Sequence, residues 1–501
     1  MSDKLNQLYE RLGEISDLSK AAAIFSWDMQ TYMPSGAAEG RSRQMATLSR
    51  LTHEKFTSDE MGRLLEDLAA ETQGLPYEDD TVSMIRVLRR DYDQDRKLPG
   101  AFVSELAQAR GLAQPVWMQA RAASNWSLFE PHLQKILALK VREAEYLGYK
   151  DRIYDALLDG FEPGMKTAEV EAIFADVRKE LVPLVKAIAR HADRVSDAVL
   201  RQPFDENKQW DLTVAALRSI GFDFERGRQD KSAHPFTTEF SNHDVRVTTR
   251  VYPQFFSPAF FGSLHEGGHA LYEQGSPDKF ERTLMAGGAS LGVHESQSRM
   301  WENLVGRSRP FWQFFFAQAR DLFPDALGAV SLETFYRAVN RVEPSFIRVE
   351  ADEVTYNLHI MLRFQLENAL VEGKLKVQDV PEAWNAAMQD FLGVTPPDVA
   401  QGALQDIHWS GGMIGYFPTY SLGNFFAAQL FDQALKEMPD LYTRFEHGDF
   451  QPLLSWLREK VHQHGRKFTL DELAVRITGD KLQTRSYIAY LKKKYTQIYD
   501  L

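Results

Sequence analysis

Apolar residues recur at three- and four-residue spacing over most of the chain, the pattern of helices that bury one face. Between residues 168 and 190, Val170, Ile173, Phe174, Val177, Leu181, Leu184, Val185 and Ile188 trace such a face, with Pro183 predicting a kink. The same spacing predicts helices near residues 5–25, 102–122, 133–147, 332–342, 353–371 and 453–462. The protein should be mainly α-helical.

One region changes period. From 234 to 251 the chain reads HPFTTEFSNHDVRVTTRV, where Val245, Val247, Thr249 and Val251 alternate with Arg246, Thr248 and Arg250. A period of two is that of a half-exposed strand, so a small antiparallel sheet is expected just before residue 265, as one wall of any site there. Turn signals are densest at TPP, 395–397, and SGG, 410–412. No repeat or long linker divides the chain, so 1–501 is expected to be one domain.

Composition narrows the partners. With 58 basic against 70 acidic residues the net charge is -12, the wrong sign for a nucleic acid or an anionic membrane. There is no cysteine, so disulfides and thiolate ligands are excluded, which suits a reducing cytoplasm. The first twenty residues carry charges every few positions, unlike a secretory signal, and no run of about 18 apolar residues exists to span a bilayer. A cytoplasmic protein is expected, and any metal in it must be held by His, Asp or Glu.

Such a site is offered by HEGGH, 265–269. Residues four apart share a helix face with side chains roughly 5–6 Å apart, so His265 and His269 can both reach one zinc ion at about 2.0–2.1 Å. Glu266, about 100° further round, cannot easily join them but can take a proton from a zinc-bound water, whose pKa falls to about 7. Gly267 and Gly268 each weaken the helix by about 1 kcal/mol relative to alanine, which makes sense if a substrate or a neighbouring backbone comes close to the metal face.

A third ligand is required from elsewhere. A metzincin pattern would need Gly at 272 and His at 275, where this chain has Tyr272 and Gly275. Glu273 lies two turns, about 12 Å, from His265. The best candidate is Glu295, in MAGGASLGVHESQSRMWENL, where a glycine-rich stretch leads into a new helix. His294 competes with it and Glu302 is weaker; a purely structural Glu295 would pair with Arg299, four residues on.

These residues also carry a family pattern. HPF at 234–236, DVRVT at 244–248, HEGGH at 265–269, HESQ at 294–297, IRVEAD at 347–352 and GALQDIHW at 402–409 together resemble the carboxypeptidase Taq family of metallocarboxypeptidases. SWDMQTYMPSGAAEGR near the N-terminus is similar to the family's start. The resemblance implies an all-α fold in two halves around a deep groove, a small sheet beside the active site, and a homodimer. It also implies one zinc, or a replacing cobalt, on His265, His269 and Glu295, with Glu266 as catalytic base. GASLGVHES is similar to the third-ligand region of angiotensin-converting enzyme, which favours Glu295 further.

A carboxypeptidase acts on peptides with a free C-terminus and needs a cation for that carboxylate. Arg348 in IRVEAD is the candidate, since its planar fork can bind both oxygens; a structural Arg348 would instead pair with Glu350 or Asp352. The oxyanion formed at the scissile carbonyl needs donors, for which His408 with Tyr420, or less favourably Tyr416, are candidates. His234 and Arg246 are expected to line the groove, where a strand edge can hold a peptide backbone. The main alternative is an oligopeptidase or dipeptidase cutting internal or penultimate bonds; a silent peptide-binding scaffold is a third reading, opposed by Glu266, for which a closed structural zinc site has no use.

Overall fold

A computed structural model describes residues 3–501. Among them it has twenty-one α-helices and one three-stranded sheet. The predicted helical segments are all helical: Asp3–Thr31, Gly100–Ala122, Trp126–Leu147, Thr167–Ala189, Leu332–Val339, Tyr356–Val371 and Gln451–Lys460. Pro183 lies inside its helix without ending it.

The expected strands form, but the sheet is mixed rather than antiparallel. Strand β2, Thr237–Ser241, and β3, Asp244–Thr249, pair antiparallel as a hairpin, while β1, Gly227–Lys231, pairs parallel to β3 on its other side. The spatial order is β1-β3-β2. In sequence β1 is GRQDK, with no apolar alternation to reveal it. Its buried polar residues are satisfied at a distance: Gln229 donates to Thr213 and Ser263, and Asp230 accepts from Arg228 and Tyr32. On β3, Val245 and Val247 are buried, as the alternation predicts.

The HEGGH helix, Ser257–Gln274, is central and almost wholly buried. Phe260, Leu264 and Leu271 join it to the large core that also holds Trp312 and Phe425. The N-terminal helix contributes Leu8 and Leu12 to a second, smaller core with Leu65, Leu88 and Met285. Between these two apolar bodies lies a groove of about 1000 Å³, walled by Ile15, Ser19 and Ala22 on one side and by Leu291, His294 and Met413 on the other. No helix is long and apolar enough to cross a membrane among the described residues.

Candidate active site

The HEGGH helix presents His265 and His269 on one face, and the helix Leu291–Arg299 brings Glu295 opposite them. Glu295 Oε2 stands 3.7 Å from His265 Nε2 and 3.4 Å from His269 Nε2. All three ligand atoms lie within 4.8 Å of one another. Two atoms each about 2.0–2.1 Å from a tetrahedral ion are about 3.3 Å apart, so the cluster fits a single small ion with slight closure. Two imidazoles and one carboxylate also leave a coordination position open, as a catalytic site requires.

The outer nitrogens explain why the inner ones are available. His265 Nδ1 donates to Glu302 Oε2 at 2.9 Å. His269 Nδ1 is 2.5 Å from His294 Nδ1, whose Nε2 is 2.6 Å from Glu273 Oε1. Since Glu273 can only accept, the proton order Glu273–His294–His269 leaves the His269 Nε2 lone pair facing Glu295. His294 and Glu302, the rival candidates, thus contact the outer nitrogens of the two histidines, while Glu295 faces the inner ones. Glu302 sits on a widened π turn, Met300–Val305, that continues the Glu295 helix; such turns favour functional positions.

The glycines serve helix approach. A Cβ on Gly268 would stand 2.5 Å from the Gln297 carbonyl oxygen and 2.6 Å from Ser298 Cα. On the far side, a Cβ on Gly423 of the helix Pro418–Glu437 would stand 2.7 Å from Glu295 Cβ. The Glu295 helix is thus gripped between two glycine faces, so the neighbouring-backbone reading of the HEGGH glycines holds for Gly268. Gly267 faces another way, toward the Leu217 and Ile220 side chains.

Charges in this pocket are pushed far from their ordinary values. Burial alone would raise Glu295, but Arg299 and the two histidines outweigh it and hold its carboxyl well below the usual range; Arg299 Nε donates to Glu295 Oε1 at 2.6 Å. The Glu295–Arg299 pair therefore exists through Oε1, alongside the Oε2 that faces the two histidines. Burial pushes the His269 imidazole down to about 3 despite Glu295, which keeps it neutral, the form that binds metals. Glu266 is pushed up by burial. Its Oε2 accepts from the Thr237 hydroxyl at 2.7 Å.

Arg348 is buried, and its partner is neither Glu350 nor Asp352 but Asp406. Its Nε and Nη2 donate to Asp406 Oδ1 at 3.0 and 2.8 Å, and Nη1 donates to Tyr356 Oη at 3.0 Å. Arg363 Nε holds the other oxygen of Asp406 at 2.6 Å. Beside this group, His408 Nε2 is 3.4 Å from Tyr420 Oη, and the Arg348 guanidinium lies 5.2 Å from the Tyr420 ring centre. Tyr416 packs between Tyr420 and Phe161, with ring centres 5.2 and 5.3 Å away. Burial pushes His408 down to about 3.

His234 is exposed just before β2, with its Nδ1 2.8 Å from the Pro235 carbonyl oxygen. Arg246 is placed differently: it grips Asp244 with two bonds of 2.9 Å and lies between the Trp27 and Phe240 rings, 4.5 and 4.7 Å from their centres. These contacts run to the N-terminal helix and the sheet, not to the histidine cluster.

Comparison with known proteins decides among the readings. Residues 7–495 match the family model described as carboxypeptidase Taq (M32) metallopeptidase. The chain belongs to the M32 family. Thermostable carboxypeptidase 1 of Thermus thermophilus is 44% identical over 506 residues, 98% of each chain, and carboxypeptidase 1 of Bacillus subtilis is 38% identical, also over 98% of each. The crystal structure of an M32 carboxypeptidase from Deinococcus radiodurans R1 superposes with a TM-score of 0.97 at 41% identity, covering 100% of both chains. The chain is accordingly an M32 metallocarboxypeptidase, a hydrolase that removes residues from peptide C-termini. Membership of this family does not favour the oligopeptidase reading or the silent scaffold.

Proposed function

We propose that this M32 enzyme releases single amino acids with a zinc ion, replaceable by cobalt, held by His265, His269 and Glu295. The convergence of those three side chains, with Glu266 on the adjacent position of the same helix, carries the reading. When bound, the ion supplies Lewis-acid polarisation and a water acidic enough to ionise near neutral pH.

The remaining work falls to the protein. Glu266, with Oε2 engaged by Thr237, uses Oε1 to take the proton of the attacking water and returns it to the leaving amine. Tyr420 Oη and His408 Nε2, 3.4 Å apart, can donate to one developing oxyanion. Tyr416 backs Tyr420, and His234, just before β2, and Arg246, on β3, meet the substrate at the sheet. Strand β2 is an edge of the sheet, so a substrate backbone can pair along it.

Arg348 reads the substrate's terminal carboxylate. Three of its five N–H groups are used by Asp406 and Tyr356, which leaves one on each terminal nitrogen for a carboxylate. A charge-assisted contact of this kind is worth about 1.5–3 kcal/mol, so Arg348→Ala should lower kcat/KM roughly ten- to a hundredfold on free peptides. Removing one member of a buried ion pair also destabilises the fold. The decisive measurement is therefore the ratio of rates on free and C-terminally amidated peptides, which is taken within one enzyme. Arg348→Ala should collapse that ratio, whereas an equal loss on both substrates would make Arg348 structural.

The two apolar bodies support one domain of two lobes spanning 1–501, with the groove between them. The family resemblance supports a homodimer, and the cysteine-free composition suits a reducing cytoplasm. Metal analysis and digestion of a peptide read by mass spectrometry test the whole assignment. One zinc per chain and a ladder of single C-terminal losses are expected, and internal fragments would overturn it.

A further inference from the structure

The structure assigns Thr237 as the residue that positions the Glu266 carboxylate, an inference that rests on the general-base reading of Glu266. Its hydroxyl reaches both ends of that residue: Thr237 Oγ1 is 2.7 Å from Glu266 Oε2 and 2.9 Å from the Glu266 carbonyl oxygen. Among the described residues none hydrogen-bonds to Glu266 Oε1, so the threonine occupies one oxygen and leaves the other to face the reacting water. A glutamate side chain has three rotatable bonds and, in a buried pocket, no solvent to hold it. Without this donor the carboxylate is free to leave the orientation that proton transfer needs, and small displacements of a general base are costly to rate.

The position of Thr237 is itself fixed from two directions. It opens β2, where its Cα pairs with Val247 of β3, and Val247 is buried in the main core. One residue earlier, Phe236 N donates to the Thr248 hydroxyl at 2.9 Å. Midway along β2, Glu239 forms an ion pair with Lys20 of the N-terminal helix. Strand β2 thus links the N-terminal helix to the catalytic helix, with Thr237 as its first residue. This is the kind of support that a positioned catalytic group requires.

Three variants test the assignment. Thr237→Val keeps the branched shape and removes the donor; it should lower kcat roughly ten- to a hundredfold, with KM and bound metal within twofold of the parent. In its crystal structure the Glu266 carboxylate should have left the place it holds beside residue 237. Thr237→Ser, which restores the hydroxyl, should return kcat to within threefold of the parent. The assignment is overturned if Thr237→Val keeps kcat within threefold, if it loses the metal, if Glu266 stays in place, or if the serine variant falls as far as the valine one. Glu266→Gln separates the two readings: if that variant remains active the general base itself is misassigned, whereas an inactive Glu266→Gln beside a fully active Thr237→Val rejects only the positioning role.

Discussion

Glu266→Gln is expected to retain its metal and lose turnover by about 10²- to 10⁴-fold, the range that a positioned general base contributes. Glutamine has the shape of glutamate, and its amide oxygen can still accept from the Thr237 hydroxyl. His265, His269 and Glu295 are untouched, so metal affinity should stay near that of the parent. What is removed is the carboxylate whose Oε1 is placed to accept a proton from water. The loss should fall on kcat, with KM little changed, because the carboxylate acts in the transition state and not in peptide binding. Metal content by mass spectrometry and steady-state rates on a short free peptide provide the check. A variant with kcat within tenfold of the parent would remove Glu266 from the mechanism.

The sequence made the helices and the two histidines of the candidate cluster legible for the same reason: both depend on spacings of three and four along a single helix. His265 and His269 need only each other to be recognised. Glu295 required more, because a partner on another helix is chosen by packing; the family pattern supplied what spacing left open. The strands of the hairpin were visible through the alternation of Val245 and Val247, but β1 was not. Its buried Gln229 and Asp230 look like surface residues until Thr213, Ser263, Arg228 and Tyr32 are placed around them.

Contacts between distant segments account for the rest. Glu273 is too far along its helix to join a metal with His265, and spacing alone gave it no further task. In three dimensions it holds His294, which in turn holds His269. The Arg348 partner followed the same rule: the sequence points to Glu350 and Asp352, its near neighbours, whereas the fold chooses Asp406 and shares it with Arg363. A carboxylate between two arginines is held far into its ionised range, even though burial opposes this. That arrangement fixes the Arg348 fork before any substrate arrives, which reduces the ordering a peptide carboxylate must impose on binding. Gly268 shows the converse, since its value became visible only with the backbone of Gln297 and Ser298 laid against it.

Replacing Glu295 by alanine should disable the metal site more thoroughly than replacing His294, even though the two residues are adjacent. Glu295 Oε2 faces both histidine nitrogens, so its loss leaves two ligands where a catalytic zinc site uses three. It also strands Arg299, which keeps only its 3.2 Å contact with Glu302 as a carboxylate partner, and the uncompensated cation lies where another cation must bind. His294→Ala removes an orienting group and leaves His269 Nδ1 without its acceptor. Losses of that kind reduce metal affinity by roughly 10- to 100-fold. Competition against a chelator of known affinity should therefore place Glu295→Ala beyond that range, with activity near background at ordinary zinc concentrations, and His294→Ala inside it, with activity recovered by added zinc. The reverse order would make His294 the third ligand and reduce Glu295 to the ion-pair partner of Arg299.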